Sequence, residues 1–164
     1  PRHDRRGARA DAAAPARRPR AASVRRRLAR AGREAGHRIL DIVDAVFRQG
    51  ADDEVAEIWI TFPDPQPLKS GIKRRLTNPR FLELYKEILQ NDGLMHLKTD
   101  SELLFDYTLE VLPEFGVEEL AYTKDLYKSE LNVRHYGIKT RFEQIFTEKG
   151  YNINYLSAKF KHNS

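Results

Sequence analysis

Four short segments hold side chains whose types and spacing could do chemistry. The first is Phe62-Pro63-Asp64-Pro65-Gln66-Pro67, one carboxylate set among three prolines. A carboxylate there could accept hydrogen bonds from an N–H-rich edge or favour a nearby cation; the plain alternative is a turn residue. The second is basic, Lys69 followed by Lys73-Arg74-Arg75. Such side chains contact phosphates, or form a solvated charge run ahead of a helix. The third, Leu97-Lys98-Thr99-Asp100, ends an apolar run on a carboxylate that could serve a site or cap a helix. The fourth, Thr140-Arg141-Phe142-Glu143, has capping-box spacing, a structural role expected whether or not the box also binds a ligand. There is no cysteine, which excludes disulfides, thiolate metal sites and cysteine nucleophiles. The histidines lack metal-ligand spacing, so no metal is expected, and His96 reads as a packed or hydrogen-bonded side chain.

Elements must position these groups. Ile39, Ile42, Val43, Val46 and Phe47 have helical spacing, and Gly50 stops that helix. Residues 57–62 read as a short strand, apolar at nearly every position as in a parallel sheet covered on both faces. Three prolines then forbid helix and ladder pairing. Asn78 caps a helix with Pro79 at its first position, and Phe81, Leu82, Leu84, Tyr85, Ile88 and Leu89 form its stripe. A turn at Asn91-Asp92-Gly93 leads to a strand over 94–99. A helix capped by Asp100 or Ser101 runs to Leu112, and a strand with a loop fills 117–127. A helix over 140–149 and a strand over 151–160 complete the order, the last with a bulge expected between Tyr155 and Leu156. The order α-β-α-β-α-β-α-β predicts an α/β sheet with mostly parallel, right-handed crossovers. In such sheets ligands gather at the carboxyl ends of strands, where Asp64 and Asp100 both stand.

Net charge separates two regions. Residues 1–38 hold 13 Arg, no Lys and three acidic residues, a net of +10, and the remainder is net −5. Residues 1–36 read as an Arg/Ala-rich disordered tail, and 37–164 as a partial domain. The tail admits three readings: a nucleic-acid-binding arm, an ordinary solvated segment, or peptide from a wrong reading frame of GC-rich DNA, the last being favoured. No apolar run approaches the roughly 20 residues of a membrane span, and the N-terminus lacks a secretory h-region, so a cytoplasmic protein is expected.

Together and in this order, Phe62–Pro67 with Lys69 and Lys73–Arg75, Leu97–Asp100 and Thr140–Glu143 resemble the motifs of the bacterial tRNA (guanine-N7)-methyltransferase family. The resemblance spans about Glu54 to Phe160. It implies the C-terminal portion of a Rossmann-like, class I S-adenosylmethionine-dependent methyltransferase, with the N-terminal strands and Gly-rich loop missing. Residues 1–50 indeed contain only Gly7, Gly32, Gly36 and Gly50, with no Gly-x-Gly. The implied reaction is methylation of N7 of the variable-loop guanosine at position 46 of tRNA. By resemblance, Asp64 is catalytic and cofactor-binding, and Asp41 is a second cofactor-side acid. Lys69, Asp100, Thr140, Arg141, Phe142 and Glu143 bind substrate, and Lys73, Arg74 and Arg75 touch tRNA phosphates. The motif departs from the common family form at Gln66, where Trp is usual, and at Lys69, one residue later than usual. The chain alone is expected to bind S-adenosylmethionine poorly. Alternatives are a non-catalytic RNA-binding module using the Arg-rich tail, or another amino-group methyltransferase.

Overall fold

Ile58 to Thr61 are all β-branched or aromatic, which favours an extended chain over a helix, and they form the C-terminal half of a largely buried strand. The computed structural model describes Arg30, the backbone course of residues 44–47, and residues 55–161. In chain order it has β1 (Asp44–Phe47), β2 (Val55–Thr61), α1 (Pro79–Ile88), β3 (Leu89–Thr99), α2 (Glu102–Val111), β4 (Val117–Thr123), α3 (Arg141–Glu148) and β5 (Asn154–Phe160). Short 3-10 turns cover Lys69–Arg74, Leu112–Phe115, Leu126–Lys128 and Glu130–His135. The tail expected over 1–36 lies outside the described residues except for Arg30, as does Asp41.

The five strands lie in the order β1-β2-β3-β5-β4. β2 and β3 are parallel, whereas β1 runs antiparallel to β2, and β5 antiparallel to both β3 and β4. This bears out an α/β sheet and corrects the mostly parallel pairing. β2, β3 and β4 share one direction through their helical crossovers, but β5 returns from the same end as β4 and inserts between β3 and β4. The helix expected over Ile39–Phe47 is also corrected at its end, because residues 44–47 pair with Val55–Trp59 as a strand. Val46 and Phe47 fit a helical stripe, yet an open β2 edge offers ladder partners that a short helix cannot use.

Local signals worked where capping decides. The Asn78 side chain accepts the Arg80 N–H with Pro79 at the helix start, a cap worth about 1 kcal/mol. Phe81, Leu82, Leu84, Tyr85 and Ile88 of α1 are buried. They pack with Phe105, Leu112 and the Ile58, Ile60, Met95, Leu97, Leu156, Ala158 and Phe160 face of the sheet. The turn at Asn91–Gly93 becomes a bulge within β3, since Val55 pairs Leu89 but Glu57 pairs Leu94. Gly93 is required there, because a Cβ would lie 3.1 Å from the Ala56 carbonyl and 2.9 Å from Leu89. No bulge falls at Tyr155/Leu156, where pairing with β3 is continuous. β5 is buried on both faces, so its apolar pattern need not alternate.

The other sheet face is different in kind. Trp59, His96 and Ser157 stand in register across three strands, followed by Thr61, Lys98 and Tyr155. The turns over 126–135 and α3 cover this face around Leu126, Ile153 and Tyr155. Two charged or ionisable groups, Lys98 and His96, are thereby buried within a sheet.

Candidate active site

The carboxyl ends of β2 and β3 are tied together. Thr61 pairs with Lys98, and the Phe62 N–H donates to the Lys98 carbonyl at 2.8 Å. Asp64 and Asp100 follow these ends and are both exposed. The two carboxylates therefore leave adjacent parallel strands on one edge of the sheet. Asp64 Oδ1 accepts the Gln66 N–H at 3.0 Å, closing an Asx turn. Asp100 is not the cap of α2; Ser101 is, accepting the Leu104 N–H. Thr99 Oγ1 accepts the Ser101 N–H and its carbonyl accepts from Asn154 Nδ2, which fixes the backbone beside Asp100.

The Asp64 loop is strained and braced. Phe62 and Gln66 lie at φ 48° and 46°, each costing on the order of 1 kcal/mol or more. The brace is Arg75, only 5% exposed. Its Nε donates to the Pro65 carbonyl at 3.0 Å and its Nη2 to the Gln66 carbonyl at 3.1 Å. The guanidinium also lies 4.4 Å from the Tyr107 ring centroid, so its charge is met by two carbonyls and a π face. Gly71 completes the fit, since a Cβ there would lie 2.9 Å from Gln66 Oε1 and 3.0 Å from Gln66 Cβ. The basic run is thus divided. Lys69, Lys73 and Arg74 are exposed, whereas Arg75 turns inward and is not presented to a phosphate.

The Thr140–Glu143 box forms as its spacing predicts. Thr140 accepts the Glu143 N–H and Glu143 accepts the Thr140 N–H. Arg141 and Phe142 are exposed on the first turn of α3. Glu143, however, is fully buried. It receives the Lys98 ammonium and the Tyr127 hydroxyl as well as the Thr140 N–H. In this arrangement its carboxylate holds α3 against β3 and is closed to solvent. Burial pulls the Lys98 ammonium below its ordinary value, and the Glu143 hydrogen bond and charge pull it back. Burial and then Glu143 push the Tyr127 hydroxyl up.

Lys98 also donates to the Ile138 carbonyl at 3.1 Å and faces His135 Nδ1 at 3.3 Å. His135 Nδ1 also lies 3.1 Å from the Ile138 carbonyl, and its Nε2 faces Asn132 Oδ1 at 2.7 Å. Lys98 was no candidate in the sequence. A lysine inside a doubly covered strand was the available signal, because buried lysines need partners. His96 is the packed side chain expected, stacked on Trp59 at 3.9 Å and bonded to the Tyr155 hydroxyl at 2.9 Å. Among the described residues, no cluster of three His, Asp or Glu could hold a metal, and no helix is long and apolar enough to cross a membrane.

Most of the chain is similar to known proteins. Residues 34–156 match the family model described as "Putative methyltransferase". The chain belongs to that methyltransferase family. Three curated relatives, each named tRNA (guanine-N(7)-)-methyltransferase, are similar to it. One from Cytophaga hutchinsonii is 45% identical over 109 residues, 65% of this chain and 49% of the relative. One from Christiangramia forsetii is 46% identical over 123 residues, 74% of this chain and 54% of the relative. One from Bacteroides fragilis is 42% identical over 117 residues, 71% and 44% of the two chains. The chain thus spans about half the length of the curated relatives it matches. Its Rossmann-like α/β sheet agrees with the family.

Proposed function

We propose that this chain supplies the substrate side of a tRNA (guanine-N7)-methyltransferase, moving a methyl group from S-adenosylmethionine to N7 of a variable-loop guanosine. The observation that carries the reading is the pair of exposed carboxylates, Asp64 and Asp100, at the ends of adjacent parallel strands in a member of this family. Among the described residues, neither pairs with a cation. The methyltransferase domain is assigned to 37–164, tRNA is the partner, and the cytoplasm is the compartment.

The residues present fit a sulfonium cofactor on its methyl side. Asp64 is exposed, and among the described residues its Oδ2 accepts no hydrogen bond. Its proline neighbours offer no N–H that would compete for it. S-adenosylmethionine, when bound, supplies an electrophilic methyl carbon. Everything else asked of the chain is positioning and charge. Guanine N7 carries an in-plane lone pair and no proton, so no side chain acts as a base. Asp64 accepts from guanine N1–H and the 2-amino group, an edge only guanine presents, and its negative charge favours the cationic product. Asp100, with Thr140 and Arg141, forms the nucleoside side of the site, and Glu143, which is buried against Lys98, acts by holding that side in place. Lys69 lies on the turn beside it, and Lys73 and Arg74 meet phosphates. Arg75 acts by holding the Asp64 loop. Asp41, a cofactor-side acid in this reading, lies outside the described residues.

A chimera tests the reading, with residues 54–160 replacing the matching segment of the Christiangramia forsetii relative. It is expected to form N7-methylguanosine in a tRNA transcript. Asp64→Ala in the chimera should lower the rate about 100-fold or more with tRNA affinity within about twofold. A folded chimera that binds tRNA but methylates another atom overturns it.

A further inference from the structure

A row of aromatic rings leaves the Asp64 loop and runs out along α3. Phe62 stacks on Phe146 with centroids 6.4 Å apart and planes 7° apart. Phe146 stacks on Phe142 at 6.2 Å and 22°. Tyr151 stands against Phe146 at 5.8 Å and 75°. The inner end is anchored, since Phe62 and Phe146 pack against Leu126, Ile153 and Tyr155. The outer end is open: Phe142 is 64% exposed and Tyr151 59%. Phe142 thus presents a bare ring at the edge of a site, nearly parallel to the Phe146 ring behind it. Burial alone would not hold it, because an exposed leucine would serve the helix equally.

We propose that Phe142, backed by Phe146 and Phe62 and flanked by Tyr151, is a stacking platform for a second, unpaired nucleobase of the RNA, next to the one held at Asp64. The proposal rests on the reading of the chain as tRNA-binding. Three observations favour a nucleobase over another apolar occupant. The row begins two residues from Asp64, so a base on it belongs to the same strand as a base at the carboxylates. The rings of Phe62, Phe146 and Phe142 are near-parallel planes, which continue naturally into a planar heterocycle. Its exposed neighbour on the same turn is the Arg141 cation, and Lys149 lies at the other end of α3, which suits a ligand whose rings are joined by phosphates. Base–aromatic stacking is tolerant of sequence, so the platform adds affinity and register without reading a base.

The test is tRNA binding by the full 164-residue chain, measured against salt. Phe142→Leu should weaken binding about tenfold, and Phe142→Trp should bind at least as well as the parent. The slope of log affinity on log salt should stay the same, because no phosphate contact is removed. A transcript with an abasic site beside the variable-loop guanosine should bind the parent about tenfold more weakly, and Phe142→Leu should add little to that loss. Phe142→Leu binding within twofold of the parent overturns the proposal, as does full additivity with the abasic transcript. A concentration-dependent dimer without RNA that Phe142→Leu abolishes overturns it too, by assigning the row to a second copy. A parent chain with no salt-dependent tRNA binding overturns the tRNA reading together with the platform.

Discussion

The Lys98 ammonium lies 3.1 Å from Glu143 Oε1 and 3.2 Å from Oε2, with 3% and 0% of the two side chains exposed. Lys98 is the next-to-last residue of the strand that leads to Asp100, and Glu143 closes the capping box of α3. The pair therefore sets the distance between two parts of the site that are 43 residues apart in the chain. Removing one partner leaves the other charge buried alone, which costs more than the pair contributes. Lys98→Met is expected to lower stability by about 3–5 kcal/mol in urea unfolding. The double change Lys98→Met/Glu143→Leu should recover part of that loss, though not all, because the Thr140 N–H and Tyr127 hydroxyl lose their acceptor. A Lys98→Met cost below about 1 kcal/mol would mean that the charges reach water.

Lys73 and Arg75 separate by what they touch. Lys73→Gln removes an exposed cation, so the slope of log tRNA affinity on log salt should fall by nearly one, with stability unchanged. Arg75→Lys removes a fork that spans the Pro65 and Gln66 carbonyls, which one ammonium point charge cannot reproduce. It should cost about 2 kcal/mol of stability and lower the methylation rate of the chimera while leaving the salt slope in place. Salt titrations and thermal melts on the two variants give the comparison. A reduced salt slope for Arg75→Lys would return that side chain to the phosphate set.

Why the two were indistinguishable in sequence is a matter of direction. A Lys-Arg-Arg run gives charge and order but not which side chain the following turn rotates inward. Spacing sufficed where the signal is local and covalently short, as at Asn78-Pro79 and Thr140–Glu143, where a side chain caps a backbone three residues away. It sufficed also for Asp64 and Asp100, because prolines and an apolar run mark where a strand must stop. It failed where pairing over distance decides. Val46 and Phe47 satisfy a helical period over a few residues as well as a strand, and only the neighbouring edge of β2 selects between them. The antiparallel insertion of β5 depends on which edge is open, which no window of sequence contains. Lys98 does carry a sequence signal. His96 and Lys98 alternate onto one face of a strand, and a lysine there requires a buried carboxylate from elsewhere.

The last prediction concerns pH. Burial beneath Trp59 lowers His96 to about 4, with Glu57 opposing and Arg134 and Lys98 adding to the shift. The ordinary value for an unfolded chain is about 6.5. Between these two values the unfolded chain binds a proton that the folded one does not, so stability must rise with pH across that window. The contribution is fully present above about pH 6.5 and is lost as pH falls toward 4. It amounts to on the order of 3 kcal/mol for a group this buried. Among the described residues His96 Nε2 has no hydrogen-bond partner, so charging the ring would put an unpaired N–H inside the sheet. Urea unfolding at pH 7, 6 and 5 should show a falling free energy in the parent chain. His96→Gln, which cannot titrate, should flatten the curve across the same range even if its stability at pH 7 is lower. An equally steep fall in His96→Gln would mean that a group other than His96 carries the acid sensitivity.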